Sequence, residues 1–139
     1  METTKVDRVR NTLHKSEILR GYSVFSDILK NGGRVQSPSL VCHFTTQEKK
    51  SRQPAVRVGF AVSRKYFPRA VDRNRVKRVL REVFRLNKTL LLERTDEKKL
   101  QLNLVMVFRK SESPSVRRLA FSAMQKEWNS IVPKIISLI

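Results

Sequence analysis

The chain has one cysteine, two histidines, four glycines and one tryptophan in 139 residues. A single cysteine, Cys42, excludes an intrachain disulfide and a cysteine cluster for zinc. Cys42 falls in an apolar stretch and reads as a small core residue. The two histidines, His14 and His43, lie in a polar terminal segment and in a strand-like segment, and nothing pairs them as a general acid and base. Acidic residues are also scarce, twelve against thirty Lys and Arg. Asp7, Asp27, Asp72 and Asp96 are scattered, and Glu93, Asp96 and Glu97 sit in a lysine-rich stretch. No carboxylate cluster for metal-assisted hydrolysis, phosphate-binding glycine loop or nucleophile elbow appears. These absences argue that the polypeptide cleaves nothing by itself. No apolar run approaches the ~20 residues of a membrane-spanning helix, and Met1 to Arg20 has no sustained apolar core of a secretory signal. A reduced, cytoplasmic protein with no membrane partner is expected.

What is abundant is positive charge. The formal net charge is +18 and the pI about 11.1. Such an imbalance points to a polyanion, most simply nucleic acid. A hydrophobic content of 40% suffices for one core, so a single domain over 19–139 is expected, preceded by a basic, mobile arm over 1–18.

The charge concentrates between Arg64 and Arg85. Arg64, Lys65, Arg69, Arg73, Arg75, Lys77, Arg78, Arg81 and Arg85 face only Asp72 and Glu82. Val76, Val79, Leu80, Val83 and Phe84 recur at helical spacing, so one face of this helix is apolar and the other cationic. Asp72 stands where an N-cap acceptor is expected. Ordinary solvated faces mix both signs; this one lacks countercharge, which a phosphate backbone supplies.

Elsewhere, Tyr22, Phe25, Ile28 and Leu29 space as a helix that Asn31-Gly32-Gly33 ends. Leu40, Cys42 and Phe44 alternate as one strand; Val56, Val58, Phe60 and Val62 as a second; Leu102, Leu104, Met106 and Phe108 as another. The interval between the first two suggests an antiparallel hairpin with a long loop. Ser113-Pro114-Ser115 reads as the start of a last helix carrying Met124, Trp128 and Ile131, which Pro133 should kink or end. The order gives an α+β fold, a two-layer sandwich with three main helices on a small mixed sheet.

Val58-Gly59-Phe60-Ala61-Val62-Ser63-Arg64-Lys65, then Ala70-Val71, then Arg73-Asn74-Arg75-Val76-Lys77-Arg78-Val79-Leu80-Arg81-Glu82 closely resembles the bacterial ribonuclease P protein subunit. Weaker echoes extend the resemblance over roughly residues 19–130. Two departures stand out: Tyr66-Phe67-Pro68-Arg69 lacks the glycine many relatives carry, and His43 occupies a position that is often aromatic.

The resemblance implies a left-handed crossover between the strands flanking the basic helix. It also implies a ribonucleoprotein in which the RNA subunit, using Mg2+, removes the 5′ leader of precursor tRNA. The protein would bind the catalytic RNA and the precursor tRNA; by itself it is expected to be a monomer and to hold no metal. By carry-over, Arg64, Lys65, Arg73, Asn74, Arg75, Lys77, Arg78 and Arg81 contact RNA. Phe25, Leu29, His43, Ala61 and Arg73 line a cleft for the single-stranded leader. Phe25 fits ordinary core packing equally well, and His43 a solvent-facing strand position. A ribosomal or other structural RNA-binding protein shares the charge and fold class and is the alternative, and a protein-only nuclease is a further rival.

Overall fold

A computed structural model of the chain describes residues 13, 15–50, 52–109 and 121–139. Helix α1 (Tyr22–Asn31) leads into strands β1 (Gly33–Gln36), β2 (Leu40–Glu48) and β3 (Val56–Val62). Helices α2 (Ala70–Leu86) and α3 (Thr89–Lys98) follow, then β4 (Leu100–Phe108) and α4 (Phe121–Leu138). The α+β class and the mixed sheet are as expected. The strand order is β1-β2-β4-β3, with β3 and β4 parallel and the other neighbours antiparallel.

That order overturns the expected hairpin between the second and third strands. β4 lies between them, pairing with β2 from Leu40↔Phe108 to Glu48↔Leu100 and with β3 from Val56↔Leu102 to Val62↔Phe108. β4 carries apolar residues on both faces, which suits it to the sheet interior. The short strand β1 was also unforeseen. Four residues are too few for a readable alternation, and its register depends on β2.

The two faces bury different residues. Leu40, Cys42, Phe44, Val58, Leu102, Leu104, Met106 and Phe108 join the main core with Val76, Leu80, Val83 and Phe84 of α2 and Met124, Trp128 and Ile131 of α4. The opposite face forms a smaller cluster, where Leu19 and Ile28 meet Val105, with Phe25 and Val107 packed alongside. The sheet is therefore a middle layer, with α1 on one side and α2 and α4 on the other.

Gly32 ends α1 as expected, its N–H donating to the Ile28 carbonyl. A Cβ there would lie 2.5 Å from that carbonyl oxygen and 2.6 Å from the Phe44 carbonyl oxygen, so only glycine permits so close a turn into β1. The start of α2 differs from expectation, and of the two outcomes expected at Pro133, a kink or an end, the end does not occur. α2 begins at Ala70 with Arg69 at its N-cap, and Asp72 lies inside the first turn, where its charge still favours the helix N-terminus. α4 runs through Pro133 to Leu138. Pro133 is exposed, and burial of Ile131, Val132 and Ile135 around it holds the helix despite the missing N–H. The expected helix start at Ser113-Pro114 lies outside the described residues.

Within the expected arm, residues 1–12 and His14 also lie outside the described residues. Lys15–Glu17 forms a 3-10 turn. Ile18 bridges Val58, and the Leu19 N–H donates to the Val58 carbonyl at 2.8 Å. Glu17 meets the Lys88 ammonium, whose side chain is 1% exposed, at 3.2 Å. Cys42 is fully buried, and burial pushes its thiol up to about 12, as a core role requires.

Candidate nucleic-acid interface

The cationic face of α2 is built by the period of its own sequence. Val76, Leu80, Val83 and Phe84 are fully buried, and this orients Asn74, Arg75, Arg78 and Arg81 to solvent. Lys77 and Arg73 are half-buried at the margin. Arg75, Lys77, Arg78 and Arg81 have no carboxylate within ion-pairing distance among the described residues. Only Arg85, near the end of the helix, meets Glu82, at 2.7 Å. That hydrogen bond holds the Glu82 carboxyl below its usual range. The Arg81 guanidinium lies 5.9 Å from the centre of the Phe60 ring, so its stem is braced on β3 while it remains exposed.

Arg64 and Lys65 are exposed on the loop from β3 to α2. This loop lacks glycine but needs none. Positive φ among non-glycine residues falls only at Arg52 and Lys99 within the described residues. Phe67 plugs the loop into the core against Phe108, ring centres 5.6 Å apart. Arg73 donates to the carbonyls of Phe67 and Pro68, each at 2.9 Å. Arg73 therefore fastens the loop to the first turn of α2, a role that sequence spacing does not reveal.

The cleft residues gather on the α1 face of the sheet. Strand register sets Arg34, His43, Val105 and Gly59 in one row across β1, β2, β4 and β3. Gln36, Val41, Val107 and Ala61 form the next row. Phe25 lies directly over Gly59, where a Cβ would strike the ring. His43 is two strands away in the same row, about 10 Å at ordinary strand spacing. Phe25, His43 and Ala61 are all half-exposed, and Leu29, one helical turn beyond Phe25, is 42% exposed. Arg73 is not in this row but at the helix start, reached from the Ala61 end of β3 through the loop that it fastens.

Arg34 is a neighbour that sequence reading missed, because β1 itself was missed. It stands opposite His43 across the β1–β2 pair. Burial, and then repulsion from Arg34, lower the His43 pKa below its ordinary 6.5. The unfolded chain therefore binds this proton more readily than the native one. The contribution of neutral His43 to stability is complete above the unfolded value and is lost as pH falls through the lower folded value. The melting temperature should accordingly drop between about pH 8 and about pH 5, and His43→Gln should make that drop smaller. Parallel pH profiles for the two proteins would remove His43 as its source.

Among the described residues, no three His, Cys, Asp or Glu side chains come together as a metal cradle, and no helix is long and apolar enough to cross a membrane. The site's chemistry lies in arginine donors, one imidazole and aromatic surface, which suit binding single-stranded polyanions.

Known proteins share this sequence and architecture. The Ribonuclease P family model matches residues 13–135. The chain is 42% identical over 83 residues to the ribonuclease P protein component of Chlorobaculum tepidum, covering 58% of this chain and 54% of that protein. It is 42% identical over 89 residues to the corresponding protein of Chlorobium phaeobacteroides, covering 63% and 61%. The matched stretch thus spans little more than half the length of these relatives. Among solved structures, the ribonuclease P protein of Thermotoga maritima superposes with a TM-score of 0.62 at 30% identity, covering 83% of this chain and 94% of that one. The Staphylococcus aureus protein, at 21% identity, a TM-score of 0.61 and coverage of 87% and 96%, shows the same fold. With the family model matching residues 13–135 and the fold shared with solved members, the chain belongs to the ribonuclease P protein family.

Proposed function

We propose that this chain is the protein subunit of a ribonuclease P endoribonuclease, acting in the cytoplasm on precursor tRNA. The observation that carries this reading is the cationic face of α2, whose Arg75, Lys77, Arg78 and Arg81 form no ion pair among the described residues. In this role Arg64, Lys65, Asn74 and these four residues lie against the catalytic RNA, and Arg73 holds the Arg64–Lys65 loop in place for them. Each contact neutralises a phosphate and releases counterions. Phe25, Leu29, His43 and Ala61 receive the single-stranded 5′ leader, with Phe25 as stacking surface and Ala61 leaving room for a ribose or base. Hydrolysis belongs to the RNA subunit, which would hold the Mg2+ ions that supply the Lewis-acid chemistry. The side chains bind, position and screen charge.

Reconstitution tests the reading. The protein is mixed with a bacterial ribonuclease P RNA and a precursor tRNA at low magnesium. Leader removal only when both protein and RNA are present is the expected result. Cleavage by the protein alone would make it a nuclease in its own right. Binding without any rescue of cleavage would favour a structural RNA-binding protein. Within the same assay, Phe25→Ala should weaken precursor tRNA by roughly fivefold to a hundredfold, the worth of one stacked base, and mature tRNA much less. Equal losses for the two ligands would remove Phe25 from the leader site.

A further inference from the structure

A pocket lies beneath α1, beside the His43–Gly59 row and on the side opposite Ala61. It occupies about 370 Å3. Its floor is the next row of the same sheet face, Thr45, Asn103 and Arg57 on β2, β4 and β3. One wall is apolar, formed by Leu19 and Ile28, and Asp27 of α1 stands at the rim. Two buried polar atoms of the floor have no hydrogen-bond partner, the Arg57 Nε–H donor and the Asn103 Oδ1 acceptor. Arg57 and Asn103 are direct partners in the β3–β4 register, so both side chains leave the sheet on the α1 face from neighbouring strands. Leaving both buried and unmet is costly, and a ligand that satisfies both recovers that cost.

We propose that this pocket takes one unpaired nucleobase, a subsite separate from the leader cleft; it rests on the RNA-binding reading above. Every base offers both an acceptor and a donor on its pairing edge, the two partners that Arg57 Nε–H and Asn103 Oδ1 lack. The flat ring fits the Leu19–Ile28 wall. A phosphate fits poorly, because the Asn103 oxygen and the Asp27 carboxylate both face it as acceptors. The volume is at the low end of small-ligand pockets, roughly 300–1,000 Å3, which suits a single nucleotide and excludes a duplex. The base comes from the catalytic RNA or from the precursor leader; the chemistry is the same for both.

The test begins with the unaltered full chain, so no variant has to fold. The side-chain N–H signals of Arg57 Nε and Asn103 are followed by NMR while each common nucleoside 5′-monophosphate is added, with inorganic phosphate as comparison. Saturable shifts with a nucleotide and none with phosphate are expected. No shift with any nucleotide, or equal shifts with phosphate, overturns the proposal. Arg57→Gln and Asn103→Ala are then titrated with the catalytic RNA and, separately, with a leader oligonucleotide, after melting curves verify folding. A loss of roughly tenfold with one RNA supports the subsite and identifies its source. No loss with either RNA overturns the proposal. If the pocket variants are silent while Arg75→Ala/Arg78→Ala weakens RNA binding, the subsite falls and the reading of the basic helix stands.

Discussion

Arg75→Ala/Arg78→Ala is expected to weaken binding of the catalytic RNA on the order of tenfold at physiological salt and to flatten its salt dependence. Each phosphate contact contributes about 0.7–0.9 to the slope of log K against log[salt], so losing two should lower the slope by roughly 1.5. Both residues are exposed and neither has a carboxylate partner among the described residues, so their removal leaves the core untouched. Arg73 is a poorer probe, because its bonds to the Phe67 and Pro68 carbonyls also hold the loop. Lys134→Ala, exposed on α4, serves as control and should leave the slope near its original value. Filter binding at several salt concentrations measures all three proteins. An unchanged slope for the double variant would mean that this face does not meet phosphate.

The largest loss of stability is expected from Trp128→Ala. Trp128 is fully buried, its ring meets Phe84 of α2 edge-on at 5.8 Å, and its Nε1–H donates to the Asn87 carbonyl at 3.1 Å. It couples α4 to both the apolar face and the C-terminal end of the basic helix. Emptying so large a site costs about 3–5 kcal/mol, against a typical total of ~5–15 kcal/mol. Trp128→Phe keeps most of the volume but deprives the Asn87 carbonyl of its donor, which should cost about 1–3 kcal/mol. Urea denaturation should rank the midpoints as native, then Trp128→Phe, then Trp128→Ala. A midpoint for Trp128→Ala equal to the native one would show that α4 does not brace α2. RNA affinity per folded molecule should remain close to native, because Trp128 lies on the side of α2 away from Arg75 and Arg78.

The residues of the basic face could be read from the chain because helix period and charge are local properties. The same holds for the alternation of β2, β3 and β4, and for Gly32 at the end of α1. Pro133 does not end α4: propensity counts a missing N–H but not the burial of Ile135 beyond it. Asp72 was misplaced because cap preference is weak against a helix that starts nearly one turn earlier, at Ala70.

The sequence by itself determined a cationic helix with one buried side, the strands to support it, and a family motif running through both. The fold alone decided that β4 enters between β2 and β3, because pairing between residues some fifty positions apart leaves no local trace. That insertion places His43 in one row with Gly59, and Arg57 beside Asn103. The first row runs under Phe25 at Gly59, and the second forms the floor of a pocket that no local pattern could announce.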